Sequence, residues 1–211
     1  MRHIILTHLL MRRRQTGGQD VLSARMAAQE AAPRAGASTS IALWATPLQR
    51  HIFTTPLGPV LLAASDAGLA GLWFEGQRHD PAAAWRGLGH QAPRSAHPVL
   101  QAAEEQLQAY FEGRLTRFDL PLDLSHGTPF QRQVWQALTS VAHGQTTTYS
   151  ELAARVGTPQ AARAVGAAVG RNPVSIIVPC HRVLGAHGAL TGYAGGLARK
   201  RALLQLEGLP A

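Results

Sequence analysis

The sequence predicts an α+β protein. A small N-terminal antiparallel β-sheet domain with helices precedes a mostly helical C-terminal domain, which holds a helix-turn-helix and a short strand carrying the only cysteine into a candidate site. Three observations predict this. Short apolar runs alternate with Pro, Gly and Asp turns over residues 51–74, the pattern of a β-meander. From Pro98 onward the apolar spacing changes to three and four, and Thr and Pro start signals introduce successive helices. The β-forming run Ile176-Ile177-Val178 then leads into Pro179-Cys180-His181-Arg182. The organisation reads as an extension over 1–48, an N-terminal domain over 49–125 and a C-terminal domain over 126–211.

Residues 1–48 read as a disordered or non-native extension, with Met11 and Met26 as alternative starts. Met1–Leu10 is apolar and Arg12-Arg13-Arg14 follows, the reverse of the charge-then-apolar order of a secretory signal. Order is expected from Gln49. His51–Thr54, Val60–Ala63 and Leu69–Phe74 read as strands, joined by turns at Pro56–Pro59 and Ser65–Gly68. His79–Gly89 reads as loop with a short helix. Pro98 opens a helix to Gly113 with Val99, Leu100, Ala103, Leu107, Tyr110 and Phe111 on one face, leaving Glu104, Glu105 and Glu112 as a solvated face. Phe118–Leu124 reads as extended.

Thr128-Pro129 caps the next helix, whose stripe is Phe130, Val134, Trp135, Leu138 and Val141; Trp135 reads as core. Thr148-Tyr149-Ser150-Glu151 fits a capping box for a short helix from Ser150 to Val156. Gly157 ends it, and Thr158-Pro159 starts a second helix to about Gly170, so the pair forms a helix-turn-helix. Such units bind DNA or serve as plain scaffolding. The second helix is nearly all small residues around Arg163, which suits close approach to a groove or, equally, tight helix packing with Arg163 solvated. Asn172-Pro173 ends it. Past the cysteine, a loop punctuated by Gly185, Gly188, Gly192, Gly195 and Gly196 contains Tyr193. A final amphipathic helix, Leu197–Leu206, is basic at Arg199, Lys200 and Arg201. Glu207 at its C-terminus opposes the helix dipole and needs a partner, for which a histidine is suitable.

The 211 residues are enough for one large or two small domains, and the 45% hydrophobic and 15% charged content suits a globular protein. One cysteine excludes an internal disulfide and a multi-cysteine zinc site, and fits a reducing cytoplasm. No run reaches transmembrane length. Net charge is +8, and residues 126–211 hold eight basic side chains against two acidic ones. That excess points to a polyanionic partner, or only to solubility. A thiol beside two potential cations ionises more readily, although an isolated cysteine is more often structural.

Residues 128–208 resemble the O6-alkylguanine-DNA alkyltransferases, also called methylated-DNA–protein-cysteine methyltransferases. The resemblance rests on Pro179-Cys180-His181-Arg182-Val183 after Asn172-Pro173. It extends to Ala161-Ala162-Arg163-Ala164-Val165-Gly166, Tyr193-Ala194-Gly195-Gly196-Leu197 and Leu203-Leu204-Gln205-Leu206-Glu207-Gly208. Residues 49–125 look like the family's variable N-terminal domain. The resemblance implies a DNA-repair protein that moves the alkyl group of O6-methylguanine irreversibly onto Cys180, with O4-methylthymine as a second candidate substrate. His181 would be the base through a water, oriented by Glu207, with Asn172 bracing the network and Tyr149 donating to guanine N3. Arg163 would fill the gap left by the flipped nucleotide, on a DNA-binding face with Ala161, Ala162, Gly166, Thr148 and Tyr149. Val178, Pro179, Tyr193, Ala194 and Gly195 would wall the base pocket, with backbone groups of Val178 and Cys180 reading the base edge.

The partner implied is alkylated double-stranded DNA, bound by a monomer with no membrane, cofactor or obligatory protein partner. Two features depart from some members: the single cysteine leaves no set for a structural zinc, and Ala194 stands where a serine contacts the lesion oxygen. Two other readings stay open on the residues alone: a non-catalytic helix-turn-helix regulator, and a cysteine hydrolase using Cys180, a histidine and Glu207.

Overall fold

The computed structural model describes residues 48–81, 85, 88 and 95–210. The extension expected over 1–48 therefore lies outside the described residues apart from Leu48, as does most of the loop expected over 79–89. Strands β1 (Gln49–Thr55), β2 (Gly58–Ser65) and β3 (Gly68–Phe74) form an antiparallel sheet in the order β1-β2-β3. The expected meander is present, with one register shift between Ala63 and Ala64. Period-two alternation gives the sheet two buried faces. Val60, Leu62, Leu72 and Phe74 enter the main core, while Ile52, Leu61, Ala63 and Trp73 form a smaller cluster on the other side.

Helix α1 (Pro98–Phe111) lays Leu100, Ala103, Leu107 and Tyr110 on the main core. Its acidic face is less solvated than expected, because Glu104 Oε2 lies 3.3 Å from His51 Nε2. Residues beyond it run extended, and Leu122 bridges Leu69 beside the sheet. Helix α2 (Pro129–Thr139) starts at Thr128 with a full capping box, in which Gln131 N donates to Thr128 Oγ1 and Thr128 N donates to Gln131 Oε1. Trp135 is core as read, and its indole N–H donates to Ala168 O at 2.9 Å.

After β4 (Thr147–Thr148), helix α3 (Tyr149–Arg155) is capped by Thr148 and Glu151. It ends in a Schellman turn: Gly157, at φ +73°, donates to Ala154 O, and Thr158 N donates to Ala153 O. The next helix does not begin at Thr158-Pro159. Those residues form a turn closed by Ala161 N to Thr158 O, and α4 runs Ala162–Gly170 with Ala161 as its N-cap. Proline is compatible with a first helical turn and with a β-turn alike, and here the chain needs the turn to reverse between two packed helices. Together α3 and α4 make the helix-turn-helix, held on α2 through Val134, Trp135, Val165, Ala168 and Val169.

The strand expected to lead into the cysteine is absent. Val174 bridges Leu72 of β3, with Leu72 N donating to Pro173 O and Ser175 N to Leu72 O, and the chain then turns through Ile176–Val178. The turn is closed by Val178 N to Val174 O, and the Asn172 side chain clasps it from inside. Apolar residues report burial here, not extension: positions 172–183 are all buried. Ile176 takes φ +69°, a left-handed conformation that costs a β-branched residue ~1–3 kcal/mol. Cys180–Arg182 is one turn of 3₁₀ helix, and the short strand β5 (Val183–Leu184) follows it, pairing in parallel with β4. Helix α5 (Leu197–Leu206) has the expected bounds. It is not a simple amphipathic helix, because Lys200 shares its buried face with Leu203 and Leu204.

Candidate active site: a buried thiol and a shared carboxylate

The acceptor candidate sits where the clasped turn becomes a 3₁₀ turn. Cys180 is free and buried, only 4% exposed. Asn172 Nδ2 donates to its sulfur at 3.0 Å and to Val178 O at 2.7 Å, while Asn172 Oδ1 accepts from Val174 N at 3.0 Å. One side chain thus holds the turn and touches the sulfur. Burial pushes the Cys180 thiol up to about 11; Asn172, Lys200 and the backbone N–H groups of Cys180 and His181 oppose this without cancelling it. The expectation that flanking cations would ionise the thiol is corrected: His181 and Arg182 are turned away from the sulfur toward another group.

That group is Glu207. A Schellman turn at the end of α5 places it, with Gly208 at φ +78° donating to Gln205 O and Leu209 N to Leu204 O. Its carboxylate accepts from His181 Nε2 (2.9 Å), Arg182 Nε and Nη2 (2.8 Å each), Tyr110 Oη (2.7 Å) and, at 3.4 Å, Gly144 N. The partner expected for Glu207 is indeed a histidine, joined by three groups that sequence reasoning missed. Burial works against the Glu207 charge, but His181 and Arg182 outweigh it and hold the carboxyl well below the usual range. Tyr110, from the first half of the chain, is pushed above the ordinary phenol range by burial and then by Glu207. His181 is pushed below the imidazole range by burial, with Glu207 opposing, so the ring favours its neutral form. A carboxylate only accepts, so His181 Nε2 carries the hydrogen. Nδ1 is left as a buried lone pair with no partner among the described residues.

A cavity of about 350 Å³ opens onto the thiol. Tyr149, Gly166, Val169, Tyr193, Ala194 and Arg78 line it together with Cys180. Tyr193 and Ala194 are where the sequence reading put them. Val178, Pro179 and Gly195 do not line this cavity. The carbonyl of Val178 accepts from Asn172 Nδ2 and Cys180 N. Pro179 faces a separate cleft of about 730 Å³ with Ile177 and Arg182. Gly195 is buried against Phe74 and the Tyr193 ring. Around the cysteine, the buried turn and the 3₁₀ turn that follows replace the strand alternation on which the placing of Val178 and Pro179 depended.

Lys200 was read as part of a basic surface, but it is fully buried. Its Nζ donates to Val183 O (2.5 Å), Thr191 O (2.6 Å) and Gly192 O (3.3 Å), tying α5 to β5 and to the glycine loop. Burial lowers it to about 8, and Cys180 acts in the opposite sense. Its one sequence signal is that it is the only lysine among twenty basic residues. Arginine does not fit where a compact ammonium meets three carbonyls.

Outside the cavity, Arg163 is exposed on α4, with Ala161, Ala162 and Gly166 partly exposed near it. Thr148 is partly exposed, but its hydroxyl is committed to the α3 cap. Tyr149 rises from the first turn of α3 against Gly166, where an added Cβ would stand 3.6 Å from the ring. The helix-turn-helix and the thiol therefore share one wall. Among the described residues no three metal-binding side chains come together, and no helix is long and apolar enough to cross a membrane.

Comparison with known proteins places this geometry. Residues 129–209 match the DNA-binding domain of 6-O-methylguanine DNA methyltransferase, and residues 48–124 match its ribonuclease-like domain. The methylated-DNA–protein-cysteine methyltransferase of Mycobacterium tuberculosis is 49% identical over 153 residues, 72% of this chain and 88% of the relative. That of Methanosarcina acetivorans is 46% identical over 161 residues, 74% and 96% of the two chains. Among solved structures, the Mycobacterium tuberculosis OGT in complex with DNA superposes with a TM-score of 0.63 at 46% identity, covering 75% of this chain and 91% of that one. The O6-methylguanine-DNA methyltransferase of Pyrococcus kodakaraensis does so with 0.56 at 29% identity, covering 77% and 99%. With both halves matched and the acceptor geometry in place, the chain belongs to the methylated-DNA–protein-cysteine methyltransferase family.

Proposed function

We propose that this protein repairs alkylated double-stranded DNA by moving the methyl group of O6-methylguanine onto Cys180, once per molecule. The observation that carries the reading is a single buried thiol at the floor of a base-sized cavity whose wall is the helix-turn-helix. A lesion oxygen stacked in a duplex is out of reach of an in-line thiolate, so the base must be flipped into the cavity. Arg163, exposed on α4, fills the space it leaves, with Ala161, Ala162 and Gly166 permitting close approach. O4-methylthymine presents the same alkyl–oxygen bond and is the natural second substrate.

The thiol at rest holds its proton. His181 Nδ1 takes it through a water, and the resulting imidazolium is stabilised by Glu207, whose charge Arg182 and Tyr110 keep in place. Sulfur then bonds to the methyl carbon as the carbon–oxygen bond breaks, and the electron pair leaves with guanine. Tyr149 donates a hydrogen bond or proton at N3, and Tyr193 and Ala194 hold the base. A thioether has no thiolate to restore, so the reaction is stoichiometric. Residues 49–125 supply the support and 126–211 the DNA-binding and acceptor functions, in a monomer. A reduced acceptor thiol suits the cytoplasm.

The test is the intact mass of the protein after incubation with duplex DNA carrying O6-methylguanine. A gain of one methylene, located on the Cys180 peptide and absent in Cys180→Ser, is expected. An unchanged Cys180 peptide in protein that binds the duplex overturns the reading.

A further inference from the structure

Arg78 belongs to the first half of the chain, yet it lines the cavity that holds Cys180. Its backbone is pinned from both sides. Arg78 N donates to Ala194 O at 2.9 Å, on the loop that carries Tyr193. The preceding Gln77 is buried, and its Oε1 accepts from Phe74 N at 2.9 Å and from Ser175 Oγ at 3.3 Å, inside the acceptor turn. The main chain at Arg78 is therefore fixed relative to the thiol, while its side chain is exposed and makes no hydrogen bond or ion pair among the described residues.

A second exposed arginine, Arg171, caps the C-terminal end of α4. His79, next to Arg78 in the chain, is held in a left-handed conformation at φ +63°. Its imidazole is pushed below its ordinary range first by burial and then by Arg171 and Arg78, with no carboxylate acting on it in the opposite sense. Arg78 at the cavity and Arg171 at the end of α4 thus act on one imidazole from the two halves of the chain.

Entry of a base sets a geometric requirement at the cavity mouth. When the base occupies the cavity, its sugar and flanking phosphates must remain at the rim, because the covalent backbone continues into the duplex. We propose that Arg78 is a phosphate-binding residue that grips the backbone of the extruded nucleotide, giving the N-terminal half a direct part in recognising damaged DNA. A planar guanidinium suits a phosphate, and the fixed backbone limits the ordering needed on binding. The assignment rests on the alkyl-transfer reading above, since it needs a base in the Cys180 cavity.

The experiment measures binding and reaction separately. Cys180→Ser protein, with and without Arg78→Ala, is titrated with lesion duplex across a salt series. Arg78→Ala is expected to lower affinity roughly three- to tenfold and to reduce the slope of log affinity on log salt by about 1. In the Cys180 background, Arg78→Ala is expected to slow transfer from duplex severalfold more than it slows the reaction with free O6-benzylguanine, and Arg78→Lys to recover most of the salt slope. Unchanged affinity and slope overturn the proposal, and so does an equal loss with the free base, which would make Arg78 a pocket residue. If the Cys180 protein takes no methyl group at all, it is the alkyl-transfer reading that fails, and the binding titration still decides Arg78.

Discussion

Two sets of basic side chains surround the acceptor, and they do opposite things. His181, Arg182 and Lys200 are buried, and each is answered by a specific acceptor: Glu207 for the first two, three backbone carbonyls for the third. Arg78, Arg163 and Arg171 are exposed, Arg78 lining the cavity and the other two on and just after α4. A buried basic group must find its acceptor where it stands, because desolvation costs more than a distant charge returns. It therefore builds the site more than it ionises the thiol. An exposed cation is screened by water and salt, and gains most from a polyanion that displaces its counterions. Proximity to Cys180 in sequence says little about which set a residue joins.

The comparison breaks first at Glu207. Glu207→Ala leaves Arg182 and Tyr110 buried without their acceptor and should cost ~3–5 kcal/mol in denaturant unfolding, with loss of methyl transfer. A cost below ~1 kcal/mol would mean that the buried cations do not depend on it. The sign with pH follows from the depressed carboxyl. Its contribution is complete above the unfolded pKa of ~4.3 and is lost as pH falls below that value toward the folded pKa. Glu207→Gln should flatten this acid limb.

A smaller effect, on rate alone, tests whether the thiol is shielded from the buried cations. With the thiol raised to about 11, alkylation of Cys180 by iodoacetamide should rise close to tenfold per pH unit from pH 7 to about 10. A plateau near neutral pH would show that His181 or Arg182 does stabilise the thiolate. The smallest effect sharpens the exposed set. Arg163→Ala should slow repair in duplex DNA by several-fold, on the order of 1 kcal/mol, while reaction with free O6-benzylguanine stays unchanged. Equal losses on both substrates would remove Arg163 from base extrusion.

Much of this was legible because it depends on residues a few positions apart. The N-cap at Thr128, the capping box at Thr148, the turns of the meander and the bounds of α5 all follow from short-range signals. Glu207 announced itself through the dipole it opposes, and His181 was the right class of partner. Elsewhere a local signal admitted two structures. Ile176–Val178 has strand composition but forms a buried turn, because the edge of β3 pairs only with Pro173 and Ser175 while Val174 O and Asn172 Nδ2 take the backbone groups of Val178. Thr158-Pro159 carries a helix-start signal but sits in the turn ahead of α4, and Lys200 resembles its exposed neighbours until three carbonyls surround it.

The amino-acid order alone settled the α+β class, the acceptor cysteine and the family pattern around it, since motif spacing and period are properties of the chain before it folds. Only the tertiary structure decided which charges meet. Tyr110 reaches Glu207 across 97 positions and Ser175 reaches Gln77 across 98, and Arg78 comes to the thiol's cavity from the opposite half of the chain. No local pattern encodes such meetings, and the two hydrogen bonds are selected by the cost of leaving a polar group buried without a partner. That cost exists only after the core has closed.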